Sequence, residues 1–379
     1  MFPDKLHKKL LNRIENRSLR GLATRDDLID FSSNDYLGFA KSEAIFNKAH
    51  QYLLDSSLKV NGATGSRLLS GNYSLYNELE AKLSNYHNSE SALLFNSGYN
   101  ANLGLFSSVP QRGDIILYDE YAHASIRDGI KLSNAKAYKF QHNNLDDLSS
   151  QLERSREFFS ENEIYVVTES VFSMDGDSPD LKAMLQITKK HKAHLIIDEA
   201  HALGVFDFGL IQQLRIEKDV FARIMTFGKA LGCHGAAILA SNQLKKYLIN
   251  FSRPFIYTTA MTPHSLSLIK VAYNELNSAK GDQKLENIIQ FFKSKIDELG
   301  VSKYFINSNS AIQSCIISGN KEVKDISNLL LQNSFDVKPI LSPTVPEGEE
   351  RLRFCLHIYN TKEEITNVLE LLCNFVKTN

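Results

Sequence analysis

Reactive side chains stand directly after apolar runs in the middle of this chain, and one of them is a lysine. Lys229 lies in a short run of small residues that follows the apolar stretch 221–225. Asp198 and His201 follow an earlier apolar stretch, one strand–helix–strand length upstream. An amine can attack a carbonyl carbon, and a carboxylate can hold a heterocyclic nitrogen in its protonated form. The three residues together indicate covalent chemistry on a carbonyl-bearing group, whereas the lysine alone is typical of a surface turn.

The elements that must position these side chains are predicted by an alternation of short apolar runs with amphipathic segments. The runs predicted to be strands are 92–95, 115–118, 135–140, 164–168, 194–198, 223–226 and 236–240. Such alternation predicts an α/β fold with a mostly parallel sheet that helices cover on both faces. Parallel strands joined by helices place their carboxyl ends at one edge, where ligands bind. The residues that follow each strand are therefore the candidates for a site.

That edge of the predicted sheet collects a set of polar residues. They are Ser97, Gly98 and Tyr99 at the start of a helix, then His123, Glu169, Ser173, Asp198, His201, Thr226 and Lys229. Amides at a helix start bind phosphate well. Pyridoxal 5′-phosphate requires this combination, because its aldehyde needs an amine, its ring nitrogen a carboxylate, its ring a flat neighbour and its phosphate several donors. The sequence therefore predicts this cofactor at the edge of the sheet.

Simpler interpretations exist for each residue taken alone. His123 or His201 could be an ordinary structural histidine, and Asp198 could cap a turn. A metal site built from these three residues and Glu169 matches no ligand spacing, so no metal is predicted. The loop 61–67 lacks the Gly-Lys-Ser/Thr ending of a phosphate-binding P-loop, which disfavours nucleotide hydrolysis. The combination along one edge is what favours the cofactor.

The composition of the chain and its pattern of apolar residues limit its possible partners, location and domain organisation. The 379 residues carry 43 Lys and Arg against 44 Asp and Glu, and this balance disfavours nucleic acid or an anionic membrane as a partner. The sequence shows no secretory signal and no transmembrane segment, so we expect a cytoplasmic protein. We expect an N-terminal helix and short strand at 1–45, a large cofactor-binding α/β domain at 46–280 and a smaller α+β domain at 281–379.

Motifs spread over nearly the whole chain resemble those of the α-oxoamine synthases, a family of fold-type-I pyridoxal-phosphate enzymes. The strongest are Asp198-Glu199-Ala200-His201 and Thr226-Phe227-Gly228-Lys229. The others are Asp30 to Gly38, Ser97-Gly98-Tyr99, His123-Ala124-Ser125, Thr168 to Asp177, Ile256 to Thr259, Pro343 to Pro346 and Arg351-Leu352-Arg353. Three of these motifs resemble those of the branch of the family that acts in biotin biosynthesis, namely the segments 172–177, 343–346 and 351–353. The resemblance implies a transferase with a large sheet domain and a smaller C-terminal domain.

The resemblance also implies roles for the residues around the cofactor. Lys229 would hold the cofactor covalently and later move the proton at the substrate Cα. Asp198 would pair with the ring nitrogen, His201 would bond the ring hydroxyl, and His123 would stack on the ring. The phosphate would be held by Ser97, Gly98, Tyr99 and Thr226. The family shares its site across a homodimer, so Thr259 would reach the phosphate that is bound in the partner subunit.

Further residues are implied to lie near the substrate. Asn34 and Ser173 would lie near the substrate, and Ser173 and Glu169 would also help to bind the cofactor. Arg353 would bind the amino-acid carboxylate, a role that suits its planar guanidinium as a bidentate donor. Arg17 would help to bind the acyl substrate, and Arg20 is the alternative for that role.

The activity that the resemblance implies is a decarboxylative condensation of L-alanine with a pimeloyl thioester. The thioester would be carried by coenzyme A or by acyl carrier protein, and the products would be 8-amino-7-oxononanoate, carbon dioxide and a free thiol. The alternatives are a sister enzyme that joins glycine to an acetyl thioester, another α-oxoamine synthase, and a non-catalytic partner subunit of the same fold. Such subunits tend to lose the lysine, which this chain has. Leu341-Ser342 and His234 depart from the family pattern and leave the acyl donor open.

Overall fold

The structure of the chain is a computed structural model that describes residues 2–16, 18–22, 27–279 and 283–378. Within these ranges no helix is long and apolar enough to span a bilayer. The described residues form two compact units. The large unit comprises those of Leu37–Ser173 and Ser178–Asp282, and the small unit comprises those of Met1–Tyr36, Met174–Asp177 and Gln283–Asn379. The three-part division at 45 and 280 stays a prediction.

Helices and strands alternate along most of the described chain. The helices are α1 (Asp4–Glu15), α2 (Glu43–Asp55), α3 (Ser74–Tyr86), α4 (Gly98–Ser108), α5 (Ala124–Leu132), α6 (Leu145–Phe158), α7 (Leu181–Lys190), α8 (Leu210–Gln213), α9 (Asn242–Phe251), α10 (Arg253–Ile256), α11 (Pro263–Ser278), α12 (Lys284–Glu298), α13 (Asn320–Gln332) and α14 (Lys362–Thr378). The strands are β1 (Ile29–Asp30), β2 (Ser91–Phe95), β3 (Ile115–Asp119), β4 (Lys136–Phe140), β5 (Ile164–Glu169), β6 (His194–Asp198), β7 (Ala222–Thr226), β8 (Ala236–Ala240), β9 (Ile312–Ile316), β10 (Phe335–Asp336), β11 (Lys338–Ile340) and β12 (Arg351–Cys355).

The large unit is built around a seven-stranded sheet in the order β2-β8-β7-β6-β5-β3-β4. Neighbouring strands are parallel except for β8, which is antiparallel to both β2 and β7. The carboxyl ends of the other six strands therefore lie at one edge, and the predicted α/β fold is confirmed. β8 runs the other way because a turn rather than a helix joins it to β7, and so short a connection can link only antiparallel neighbours.

The strands β2 and β7 of the sheet are apolar on both faces. Leu93 and Phe95 of β2 pack in one cluster with Ile224 of β7, whereas Leu94 packs with Met225 in a separate cluster. Each of these side chains is at most 2% exposed. Burial on both faces removes the alternation of apolar and polar residues, which is why these strands are continuous apolar runs in the sequence. Each such side chain contributes about 1.5–3 kcal/mol on burial, so the sheet is a firm base for the residues at its edge.

The small unit contains a three-stranded antiparallel sheet in the order β11-β12-β9 and a short parallel pair of β1 with β10. The segment Met174–Asp177 belongs to this unit, although it interrupts the large unit in sequence. The carbonyl of Gly176 accepts hydrogen bonds from Ser308 Oγ at 2.8 Å and from Ser310 Oγ at 2.9 Å. Gly176 has a φ of +77°, and a Cβ there would strike the backbone of Ile312, so the position requires glycine.

Candidate active site

Lys229 stands in the turn that follows β7. Phe227 at the start of the turn is fully buried, and its carbonyl accepts a hydrogen bond from the N–H of Cys233 at 2.8 Å. Gly232 has a φ of +60°, and a Cβ at this position would run into the backbone of Ala40. The turn is therefore fixed at both ends, by a buried aromatic ring and by a glycine that no other residue can replace without strain. This geometry presents the lysine from a rigid base.

The amine of Lys229 lies beside the imidazole of His201. Their Nζ and Nε2 atoms are 2.7 Å apart, and His201, in the turn after β6, is 4% exposed. Two nitrogen atoms at this distance share one hydrogen, so one of them must offer a lone pair. Repulsion between two cations at this range opposes protonation of both groups. This contact fixes the position of the amine, which attacks a carbonyl carbon in its uncharged form.

Asp198 is the last residue of β6 and is 5% exposed. Its Oδ2 atom accepts a hydrogen bond from Asn102 Nδ2 at 2.7 Å, and its Oδ1 atom accepts one from the N–H of Ala200 at 2.9 Å. The two donors fix the orientation of the carboxylate. The sequence did not predict a role for Asn102. The one signal for it is an asparagine among the apolar residues of the buried face of α4.

His123 caps the helix α5 with its own side chain. Its Nδ1 atom accepts a hydrogen bond from the N–H of Ser125 at 3.2 Å and lies 2.8 Å from Ser125 Oγ. Desolvation by the surrounding protein, followed by the charge of Lys229, lowers the pKa of His123. The residue is nonetheless exposed on its remaining side. A neutral imidazole held in this way offers a flat ring to a ligand.

Glu169 lies at the end of β5, opposite Asp198 in the parallel pairing of β5 with β6. It is 3% exposed, and its Oε1 atom accepts a hydrogen bond from the backbone N–H of His123 at 2.7 Å. Burial, followed by the negative charge of Asp198, raises the pKa of Glu169 to about 8. The carboxyl group is therefore protonated at neutral pH and supports the backbone that carries the imidazole.

The start of α4 forms a cradle for an anion. Ser97 caps the helix, because its Oγ atom accepts a hydrogen bond from the N–H of Asn100 at 3.1 Å. Within the described residues, the N–H groups of Gly98 and Tyr99 in the first turn then have no acceptor. A Cβ on Gly98 would lie 3.3 Å from Thr226 Oγ1, so this hydroxyl stands beside the same helix end. Two amides, a hydroxyl and the positive end of the helix dipole suit a phosphate group.

Two further predicted residues belong to the large unit. Thr259 is exposed, and its carbonyl accepts a hydrogen bond from Asn96 Nδ2 at 2.8 Å. This contact holds the segment at the edge of the sheet, next to Ser97. Ser173 follows Phe172 after β5 and is partly buried. The contact of Thr259 with a partner subunit stays a prediction.

The predicted substrate residues with described positions belong to the small unit. Arg353 in β12 is 6% exposed, and it donates to Asn34 Oδ1 and to Cys355 Sγ, each at 2.9 Å. The hydroxyl of Tyr36 donates to the same oxygen of Asn34 at 3.1 Å. These acceptors orient the planar guanidinium, which can bind a carboxylate through two parallel hydrogen bonds. Tyr36 and Cys355 were not predicted, and Arg17 lies outside the described residues.

The groups of the large unit fit pyridoxal 5′-phosphate. The free amides of α4 and the hydroxyl of Thr226 match its phosphate, and the carboxylate of Asp198, with its two donors, matches a protonated ring nitrogen. The exposed imidazole of His123 matches the face of its ring, and the amine of Lys229 matches its aldehyde. This fit rests on the chemistry of the donors, each of which a strand or helix end holds in place.

The fold and these residues define a class, the pyridoxal-phosphate transferases with a large α/β unit. A family model described as aminotransferase class I and II matches residues 26–372. The chain therefore belongs to the aminotransferase class I and II family.

Individual relatives narrow the class. The chain is 37% identical to the 8-amino-7-oxononanoate synthase of Emericella nidulans, over 98% of this chain and 95% of that protein. It is 35% identical to the 8-amino-7-oxononanoate synthase of Lysinibacillus sphaericus, over 89% of this chain and 86% of that protein. The resemblance to the α-oxoamine synthases is confirmed.

Solved structures agree with these relatives. The 8-amino-7-oxononanoate synthase of Francisella tularensis matches with a TM-score of 0.77 at 29% identity, over 93% of this chain and 99% of that chain. The serine palmitoyltransferase of Sphingomonas wittichii matches with a TM-score of 0.88 at 25% identity, over 99% of this chain and 97% of that chain. The fold-type-I architecture is therefore common to this chain and to synthases with different substrates.

Proposed function

We propose that this chain catalyses the condensation of L-alanine with a pimeloyl thioester, which gives 8-amino-7-oxononanoate, carbon dioxide and a free thiol in biotin biosynthesis. The observation that carries the proposal is the 37% identity to a named synthase over nearly the full length of both chains. The site agrees with it, because an amine, a buried carboxylate and an anion cradle meet at one edge of the sheet.

The cofactor in this proposal is pyridoxal 5′-phosphate, which supplies an electron sink for negative charge at the substrate Cα. Lys229 would hold its aldehyde and Asp198 its ring nitrogen, while Gly98 and Tyr99 would donate to its phosphate. His123 would cover one face of the ring. These assignments are part of the proposal.

The chain's own residues then bind substrate and move protons. Arg353 binds the carboxylate of alanine and fixes the direction of its Cα–H bond. Lys229 takes the proton from Cα, and the nearby imidazole of His201 holds the amine in place for that task. The new bond joins Cα to the thioester carbonyl carbon and expels a thiolate, which takes a proton from the solvent to become the free thiol. The carboxylate of alanine leaves as carbon dioxide, and Lys229 returns a proton to the same carbon.

A homodimer with shared sites and a cytoplasmic location belong to the same proposal. In the described part of the chain α1 has no buried residue, and Leu6, Leu10 and Ile14 on one face are 46%, 44% and 54% exposed. An apolar stripe of this kind supports an interface. We expect sedimentation of the purified chain to give a dimer, and an active monomer would contradict the shared site.

A crossed turnover assay tests the activity. Alanine or glycine is combined with pimeloyl-CoA, pimeloyl-carrier protein or acetyl-CoA, and the amino ketone is identified by mass spectrometry. We expect turnover with alanine and a pimeloyl thioester, and the two pimeloyl arms identify the carrier. Lys229→Ala should abolish product, whereas Lys218→Ala, at an exposed lysine, should not. Preference for glycine with acetyl-CoA would overturn the proposal.

A further inference from the structure

A chain of buried hydrogen bonds joins Asp198 to His123 through two residues that have no assigned role. Asn102 Nδ2 donates to Asp198 Oδ2 at 2.7 Å and to Ser125 Oγ at 3.0 Å, and Ser125 Oγ lies 2.8 Å from His123 Nδ1. Asn102 and Ser125 are 2% and 1% exposed. The two belong to different helices, α4 and α5, which pack against each other. We call this pair the Asn102–Ser125 bridge.

The direction of every hydrogen in the bridge follows from the acceptors at its ends. A carboxylate only accepts, so Asn102 must turn its NH₂ group toward Asp198. The second hydrogen of that group goes to Ser125 Oγ, whose own hydrogen then points to His123 Nδ1. The backbone N–H of Ser125 points to the same nitrogen at 3.2 Å. His123 Nδ1 is therefore an acceptor, and the ring carries its proton on Nε2.

This arrangement fixes the group at each end of the bridge. The NH₂ group of Asn102 points at one oxygen of Asp198 and so orients the carboxylate that would hold a protonated ring nitrogen. A proton added at His123 Nδ1 would meet two hydrogens that Ser125 already directs at it. The imidazole is therefore kept neutral, as a ring that stacks on an electron-poor ring should be.

The other half of the Asn102 amide supports a role beyond folding. Its Oδ1 atom is buried and has no hydrogen-bond partner within the described residues. A buried acceptor without a donor costs stability, so a side chain kept only for packing would gain by being apolar. The amide is retained here with one half unsatisfied and the other half making two hydrogen bonds.

We propose that Asn102 and Ser125 are positioning residues that together orient the Asp198 carboxylate and fix the tautomer of His123, and so prepare both for the cofactor ring. The proposal rests on the cofactor assignment made above. Neither residue contacts Lys229 in the described structure, so both act through Asp198 and His123. The bridge makes the two ends dependent on each other, because breaking either link leaves the same two groups unconnected.

The first test uses the cofactor-free chain and follows the tautomer and titration of His123 by ¹⁵N-histidine NMR. The titratable groups near the ring are Asp198, Lys229 and Glu169, with Arg127 and Asp128 on its own helix. Ser125→Ala leaves all five in place. We expect its His123 to lose the fixed Nε2–H tautomer and its pKa to rise toward the ordinary range. Ser125→Thr, which keeps the hydroxyl, should restore both, and an unchanged His123 in Ser125→Ala would overturn the bridge.

The second test measures the dissociation constant of pyridoxal 5′-phosphate for Asn102→Ala, Ser125→Ala and the double variant. Each single change should weaken binding about tenfold (about 1.4 kcal/mol), because either change breaks the link between Asp198 and His123. The double variant should also bind the cofactor about tenfold more weakly than the wild type and no more weakly than that, because one change has already broken the link. Effects that multiply to about a hundredfold would refute the coupling.

Ser133→Ala is the matched control, since this hydroxyl bonds Ile130 O at the far end of α5. It should change neither the NMR signals nor the dissociation constant. The two tests also separate this inference from the cofactor assignment. A wild-type chain that binds no pyridoxal 5′-phosphate would overturn the assignment, whereas the NMR result decides the bridge on its own.

Discussion

Replacement of Glu169 by glutamine should change how the stability of the cofactor-free protein depends on pH. The carboxyl group is 3% exposed, and burial together with the charge of Asp198 raises its pKa to about 8 from an ordinary value of 4.5. Between these two values the folded chain holds a proton that the unfolded chain has released. The free energy of unfolding that this group contributes is therefore fully present below pH 4.5 and is lost as the pH rises through 8.

The size of the effect follows from linkage. One proton held only in the folded state lowers the free energy of unfolding by about 1.4 kcal/mol for each pH unit. Glutamine resembles the protonated acid at every pH and can still accept the hydrogen bond from the N–H of His123. The stability difference between Glu169→Gln and the wild type should therefore grow by about 3 kcal/mol, in favour of the variant, between pH 5.5 and pH 7.5.

The assay is urea unfolding of both proteins at pH 5.5, 6.5 and 7.5, followed by circular dichroism. Groups that titrate alike in the two proteins cancel in the difference. Glu161→Gln, at an exposed glutamate a few residues before Glu169, serves as the control and should show no growing difference. A constant difference between Glu169→Gln and the wild type over this range would refute the buried, protonated carboxyl group.

Three further changes follow from the described contacts. Asp198→Asn should bind the cofactor more weakly and lower kcat by at least about a hundredfold, since the charge that holds the ring nitrogen is lost; full activity would contradict its role. Arg353→Lys should raise KM for alanine more than KM for the thioester, because lysine cannot make the same two-pronged contact; equal changes would count against it. Gly232→Ala should lower the free energy of unfolding by about 1–3 kcal/mol, because the left-handed backbone and the nearby chain at Ala40 leave no room for a Cβ; unchanged melting would show that the turn is not constrained.

The sequence predicted those parts of the fold that depend on local patterns. Strands buried on both faces are continuous apolar runs, so β6 and β8 were predicted with the bounds that the structure has. The residues that follow the strands were predicted for the same reason, since strand ends can be located without knowing what packs on them. The antiparallel direction of β8 was not predicted, because the expectation of a mostly parallel sheet does not say which strand runs the other way.

Contacts between distant segments could not be predicted in this way. Asn102 and Ser125 meet only because α4 packs on α5, and neither residue stands at the end of a strand. Cys355 contacts Arg353 from the same strand face, but a cysteine in an apolar run is typical of a core residue. The sequence also gives no sign that Glu169 is protonated, because its pKa depends on burial and on Asp198 across the sheet.

The central claim is that the amine of Lys229 holds the cofactor. Borohydride reduction of the chain loaded with pyridoxal 5′-phosphate fixes the cofactor to the amine that carries it, and peptide mass mapping then identifies that residue. We expect the label on Lys229, and we expect none on the Lys229→Ala chain. A label on another lysine of the active wild-type protein, or an active chain that takes no label, would contradict the account.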